Sequence, residues 1–307
     1  MDSAKKKRTW LHITGWIILF LLISGGVYGY SVYHSLTNAV ETMYHPIERK
    51  ISPKRTEEIV LDKKEPFSVL LLGVDEREGD RGRSDSIIVM TVNPILKSVK
   101  ILSIPRDVRT EIVGHGTVDK INHAYAFGGV KMAIETVEHF LDMPIDYYAQ
   151  INMEGFEEIV NSVGGVTVFN DLDFTYDGFH FPKGELTLNG EKALSYSRMR
   201  YKDPRGDFGR QQRQRQIIQA ILKEGSSFPT LTRFYGIFEA LGNNIKTNLT
   251  FDELVDIQKN YRATAQSITQ LNVEGSGTKI NDIYYLIVSD ENKRLIQREL
   301  KKHLELE

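Results

Sequence analysis

Three charged clusters hold the side chains from which chemistry can be built. In the first, Asp75-Glu76-Arg77 is followed by Arg83-Ser84-Asp85, with Asp75 closing one apolar run and Asp85 opening the next. If the two runs are neighbouring strands, both carboxylates meet at one edge of a sheet. Two carboxylates so placed repel and raise one pKa unless a divalent cation sits between them. A hard ion such as Mg²⁺ takes one or two carboxylates plus substrate phosphates. The same residues also read as a solvated loop turning at Gly79 and Gly82. In the second cluster, Ser103-Ile104-Pro105-Arg106-Asp107, an arginine directly follows an apolar strand and is aimed at a ligand beyond the sheet edge. Its bland reading is a surface pair worth about 0–1 kcal/mol.

The third cluster runs from Arg198 to Arg215 and holds seven cations against two acids. Alternation puts Arg198 and Arg200 on one side if that piece is extended. After Gly209 the pattern turns helical, and Arg210, Gln214, Ile217 and Ile221 fall on one stripe. An arginine buried on that stripe without a partner costs several kcal/mol, so a counter-charge is expected. Asp207 supplies part of it or caps the helix. Phosphate held at the helix start by arginine forks satisfies the same electrostatics. Arg213 and Arg215 have a second reading as solvated helix face, which is favoured for Arg215, and of the eight histidines only His123 is placed near the site.

Composition narrows the rest. The 307 residues carry 39 Lys+Arg, 41 Asp+Glu and no cysteine. Thiol catalysis, thiolate zinc sites and iron–sulfur clusters are therefore excluded. No GxxxxGK[ST], HExxH or GxSxG motif occurs, so nucleotide-loop, zinc-protease and hydrolase-elbow chemistries lack their anchors. A net charge of −2 gives no case for nucleic acid as a partner.

The elements that must position these clusters are short strands and helices in alternation. Val69–Val74, Ile87–Val92 and Val99–Ile104 read as strands, the last two joined as a hairpin through Asn93–Lys97. Val130–Leu141 has helical period, followed by a strand at Ile145–Ile151, a helix at Met153–Val163 and a strand at Val166–Phe169. A late strand lies near Ile283–Val288, before a C-terminal helix. The fold expected is α/β: a mixed central sheet flanked by helices, an α/β/α layered domain over residues 65–307.

Ahead of it, Lys5, Lys6, Lys7 and Arg8 make 1–8 a basic tail, and no charged residue occurs between Arg8 and Glu41. Residues 9–33 read as a retained transmembrane signal-anchor, since about 20 apolar residues cross a ~30 Å hydrocarbon core. Trp10 and Trp16 at one end and Tyr28, Tyr30 and Tyr33 at the other suit its interfaces. A cleaved signal peptide would have a shorter apolar core and a small-x-small site. Residues 34–64, with His45-Pro46, Ser52-Pro53 and mixed charges, read as a stalk. The basic tail stays cytoplasmic, which places the domain outside a cell membrane crossed once.

These residues alone describe an anchored, outward domain that binds a polyanion, a metal–diphosphate. Several blocks in order then resemble the LytR-CpsA-Psr family across nearly all of 65–300. They are Leu71–Arg77, Arg83–Ser86, Ser103–Asp107, Lys120–Tyr125, Gly164-Gly165-Val166, Ala193–Arg200 and Gly206–Gln214. The likeness is strongest to its Bacillus-type wall teichoic acid transferases. It implies a Mg²⁺-dependent phosphotransferase that moves an anionic glycopolymer from undecaprenyl diphosphate to the 6-hydroxyl of N-acetylmuramic acid in peptidoglycan. It implies that Asp75 and Asp85 hold the metal, and that Arg83, Arg106, Arg198, Arg200, Arg210 and Gln214 bind or orient the diphosphate. It further implies that Asp207 supports those arginines, and that Asp75, Arg83, Arg106 and Asp207 form the catalytic set. Family members hold the prenyl tail in a hydrophobic tunnel. Two other activities fit the same residues: a polyprenyl-diphosphate phosphatase, and a non-catalytic protein that holds the lipid-linked polymer.

Overall fold

The computed structural model describes residues 2–75, 82–226 and 244–306. Its centre is a six-stranded mixed sheet of β1 (Phe67–Val74), β2 (Ser84–Asn93), β3 (Ser98–Ile104), β6 (Tyr147–Ile151), β11 (Ile245–Thr247) and β12 (Ser267–Asn272), ordered β11-β6-β1-β2-β3-β12. β1 and β2 are antiparallel neighbours with Val74 opposite Ser84, so Asp75 and Asp85 do lie at one sheet edge. β2 and β3 form the expected hairpin, and β1 pairs parallel with β6.

Each central strand has two apolar faces because the sheet is covered on both sides. Leu70, Leu72, Val89 and Leu102 are buried with Ile134, Val137 and Phe140 of α2 (His123–Leu141). Leu300 of α7 (Asp290–His303) joins that layer. On the opposite face Phe67, Val69, Ile88, Met90 and Ile101 meet Ile218 and Leu222 of α5 (Asp207–Ser226) and Ile257 of α6 (Phe251–Asn260). A third cluster joins α3 (Met153–Ser162), α4 (Gly190–Arg198), β7 (Val166–Asn170) and β10 (Gly184–Leu188) through Val160, Val166, Leu188, Tyr196 and Ile217. Helix α2 starts seven residues earlier than its periodicity suggests, because Gly129 at φ 66° kinks it and its first turns follow a different axis.

The N-terminal segment differs from expectation. Helix α1 spans Asp2–Met43, running through the expected anchor and into the expected stalk. From Val40 onward the 34–64 stretch lies on the domain rather than standing clear of it. Val40, Met43 and Leu61 are buried, and Tyr44 forms a parallel bridge to Thr247 of β11. Charge pairing fixes the rest. Arg49 forks onto Glu138 at 2.6 and 2.7 Å, and Arg55 onto Asp146 at 2.6 and 2.8 Å. The mixed charges that suggest a solvated stalk are thus the partners of buried carboxylates. Counting described residues alone, no helix is long and apolar enough to cross a membrane. On α1, Trp16, Ile17, Phe20, Leu22 and Tyr30 are exposed.

His303 at the end of α7 is buried against the sheet, with Thr91 Oγ1 at 2.7 Å from Nδ1 and Ser98 Oγ at 2.9 Å from Nε2. Burial, with the charge of Lys100, pushes its pKa down to about 4. The unfolded chain therefore binds the extra proton first, and stability present above pH 6.5 is lost as pH falls toward 4. The expected loss is up to about 3 kcal/mol. Urea unfolding of the wild type and His303→Gln at pH 7 and pH 4.5 checks this. The variant should lose clearly less stability than the wild type; parallel losses would show that other groups dominate.

Candidate functional site

The site forms where the C-terminal edges of β1 and β3, the N-terminal edge of β2 and the start of α5 converge. A cavity of about 760 Å³ opens there and continues between the sheet and α5 and α6. Its mouth is lined by Asp75, Asp85, Ser86, Arg106, Arg198, Arg200, Arg210 and Gln214. Its depth is apolar, lined by Phe67, Val69, Leu71, Ile88, Met90 and Ile218 among others. That volume lies within the ~300–1,000 Å³ of small-ligand sites. The two-faced strands signal buried layers in the sequence, but which layer is left partly empty cannot be read from periodicity.

The cations at the mouth are held by graded carboxylates. Arg106 Nη1 donates to Asp85 Oδ1 at 2.6 Å. Burial disfavours the Arg106 charge, yet the hydrogen bond and charge of Asp85, with the fields of Asp107 and Asp207, raise its pKa overall. Asp207 heads α5, where an acid also suits the helix dipole. Its Oδ1 lies 2.9 Å from Arg210 Nη2 and 3.8 Å from Arg200 Nε, and its Oδ2 accepts from Gln211 Nε2 at 2.8 Å. Arg210 Nη2 also donates to the Asp85 carbonyl at 3.1 Å, and Gln214 Nε2 to Ser86 Oγ at 2.9 Å, which ties α5 to β2.

Behind the mouth sits a second arginine–carboxylate set. Arg213 is 1% exposed; its Nη1 donates to Asp203 Oδ2 at 2.6 Å, its Nε to the Tyr196 carbonyl at 3.1 Å and its Nη2 to the Met199 carbonyl. Asp203 also accepts from Arg205 Nε at 2.9 Å and Nη2 at 2.9 Å. Burial works to raise the Asp203 pKa, but the hydrogen bonds from Arg205 and Arg213 win and hold it below the ordinary range. Gly209 makes this approach possible: a Cβ there would lie 2.0 Å from Asp203 Oδ2.

Several expectations need correction. Arg213 and Arg215 are not solvated helix face; both are buried, and among the described residues Arg215 Nε donates to Gln270 Oε1 at 3.2 Å. Burial draws the Arg215 pKa down to about 10. Arg198 is not in an extended piece. It is the last residue of α4, exposed at the cavity mouth, with Arg200 following in the turn. Arg83 is exposed and does not line the cavity; Asp207 is also outside the lining and acts on the mouth through its pairs with Arg200 and Arg210 and its field at Arg106. His123 is also outside the lining, its Nδ1 at 2.7 Å from Asp119 Oδ2 because α2 turns it toward β5 (Thr117–Lys120). Glu76, Arg77 and Gly79 lie outside the described residues. Asp203 is the residue that sequence reasoning missed, although its place between Lys202 and Arg205 in a cationic run marks it as a counter-charge.

The mouth is chemically suited to an oxyanion. The Nε atoms of Arg106 and Arg210 are buried and make no hydrogen bond among the described residues. Leaving such donors unmade costs about 1–3 kcal/mol each, which a bound anion would recover. Asp75 and Asp85 offer hard oxygen donors. Among the described residues no cluster of three or more acidic or histidine side chains forms a closed metal cage. Two carboxylates fit Mg²⁺ that completes its shell with phosphate oxygens, not an all-protein site.

A model of the LytR_cpsA_psr family matches residues 30–302. The chain is 49% identical over 304 residues to the polyisoprenyl-teichoic acid–peptidoglycan teichoic acid transferase TagU of Bacillus subtilis, covering 99% of each chain. To the same-named protein of Bacillus cereus it is 50% identical over 302 residues, covering 98% of this chain and 99% of the relative. The crystal structure of B. subtilis TagU superposes with a TM-score of 0.63 at 50% identity, over 78% of this chain and 97% of that one. A structure of TagT bound to LIIa-WTA gives a TM-score of 0.76 at 33% identity, over 85% of this chain and all (100%) of that one.

Replacing Asp203 by Ala strands the buried Arg213 charge, at a cost of about 3–5 kcal/mol. For a domain of this size that is a fall in Tm on the order of 10 °C. Thermal unfolding of Asp203→Ala measures it; a melting point equal to that of the wild type would refute the pairing as the support of this loop.

Proposed function

The chain belongs to the LytR-CpsA-Psr family, and on that premise we propose that it transfers wall teichoic acid from a polyprenyl diphosphate to peptidoglycan. The observation that carries this reading is the union of two surfaces in one cavity: an arginine-lined mouth and a long apolar interior. A diphosphate with a prenyl tail matches both at once. The names of the relatives supply the polymer and the acceptor. In the family's terms the donor is undecaprenyl diphosphate and the acceptor the 6-hydroxyl of N-acetylmuramic acid.

In the reaction so read, the acceptor oxygen attacks the phosphorus that bears the polymer. The bond from that phosphorus to the bridging oxygen breaks, and prenyl phosphate leaves. The protein's task is positioning and charge neutralisation. Arg106, held in line by Asp85, and Arg210, held by Asp207, direct donors at the diphosphate, with Arg198 and Arg200 at the outer rim. Because each of the inner two is braced by its own carboxylate, little reorganisation is needed as charge builds on the leaving oxygen. Asp75 and Asp85 would hold Mg²⁺, which when bound neutralises phosphate charge and supplies Lewis acidity. Asp75, which lines the mouth, is our candidate for taking the acceptor proton.

We extend the proposal to location: a membrane anchor at the start of α1, with the domain outside the cell. An uncharged stretch between Arg8 and Glu41 and the exposed apolar side chains of α1 support it. Such an anchor keeps the site near a lipid-linked donor.

The test is an assay of the full chain in phosphatidylglycerol vesicles, given a lipid-diphosphate-linked teichoic acid precursor, uncrosslinked glycan strands and Mg²⁺. Polymer on glycan is measured separately from released phosphate. Arg106→Ala should lower transfer by about 10²–10³-fold, the usual cost of one preorganised donor. Asp85→Ala should raise the Mg²⁺ concentration needed for half-maximal rate. Phosphate release with no transfer would replace the reading by a hydrolase, and full transfer by Arg106→Ala would refute the site.

A further inference from the structure

The apolar cavity has a wall that comes from outside the domain. Met43, the last residue of α1, lines it and is fully buried, in a cluster with Ile245 of β11 and the partly buried Ile151 and Ile159. Val40, one turn earlier on the same helix, is also buried, and the Tyr33 ring meets Phe251 of α6 edge-on at 5.6 Å. The bridge from Tyr44 to Thr247 and the hydrogen bond from His45 N to the Thr247 carbonyl at 2.7 Å lock this junction to the sheet. Helix α1 thus connects exposed apolar side chains at Trp16–Ile23 to the lining of the cavity. From Tyr33 to Met43 is ten residues, about 15 Å of helix at ~1.5 Å per residue.

A prenyl chain drawn from a bilayer leaves apolar cover only at a cost proportional to the area exposed to water. Helix α1 offers such cover at its two described ends: exposed apolar side chains at Trp16–Ile23, and Met43 in the cavity wall.

Resting on the function proposed above, we infer that the last turns of α1 are part of the lipid site: the distal prenyl chain of the donor leaves the cavity beside Met43 and runs along α1 to the bilayer. The anchor then does more than tether. It completes the wall of the substrate cavity and selects donors with long tails.

The experiment uses the full chain in phosphatidylglycerol vesicles and an undecaprenyl diphosphate carrying a photoreactive group at its distal end. Labelling of residues 33–47 or of β11 is expected. Labelling confined to the far end of the cavity around Phe67, Val92 and Tyr261, or no labelling of the chain, overturns the inference. A second measurement needs no probe. The ratio of kcat/KM for undecaprenyl- and farnesyl-linked donors should fall about tenfold in Met43→Lys, and it is insensitive to the fraction of folded enzyme. An unchanged ratio overturns the inference as well. If the wild type transfers polymer from neither donor, the proposed function fails, while the labelling pattern still reports whether α1 meets the chain.

Discussion

Gathering cations in front of an apolar cavity is the physical constraint on which this structure depends. Arg106, Arg198, Arg200 and Arg210 share one mouth, and like charges so close repel unless carboxylates intervene. The chain answers in layers. Arg213, deepest, is held by Asp203 and two backbone carbonyls and is shut away from the cavity mouth by burial. Arg106 and Arg210, farther forward, are each braced by a carboxylate, and their buried Nε atoms make no hydrogen bond among the described residues. Arg198 lies exposed at the rim. The inner layer is structural, and the outer ones hold spare capacity for an anion.

This gradient explains why particular elements stand where they do. Helix α5 begins at Asp207 because the same carboxylate that suits its dipole also steadies Arg210 and Arg200. The turn from Met199 to Gly206 folds inward around Asp203, which the missing Cβ of Gly209 admits. Gln214 fastens α5 to Ser86 at the sheet edge, and beyond that point α5 carries Ile218 and Leu222 over the apolar interior. One helix therefore supplies both part of the polar mouth and part of the apolar wall, which fixes the distance between the two.

Much of this was legible in the residues. Strand β1 reads plainly because six consecutive residues from Val69 to Val74 are apolar or glycine, and its neighbour β2 follows from the hairpin at Asn93–Lys97. Once those strands pair, Asp75 and Asp85 must share an edge. The errors have a common physical source. Arg213 and Arg215 look solvent-facing because burial of a guanidinium is expensive, and the local pattern does not show that the Asp203 loop folds back over the helix. The 34–64 stretch looks like a stalk because its charges, at Arg49 and Arg55, find partners such as Glu138 and Asp146 only about ninety residues away in sequence. Long-range pairing, not local propensity, decided both cases. The cavity was illegible for a related reason: strand periodicity marks Phe67, Val69 and Met90 as buried without saying whether side chains or a ligand cover them.

The central claim is that the mouth recognises a diphosphate on an apolar tail. The most direct measurement is calorimetric titration of the full chain with a farnesyl methylenediphosphonate and with farnesyl monophosphate, each with and without Mg²⁺. One additional pair of charge-assisted hydrogen bonds is worth about 1.5 kcal/mol or more, so the diphosphonate should bind at least about tenfold tighter. Mg²⁺ should widen that margin. Equal affinities for the two ligands, indifferent to the metal, would contradict the account.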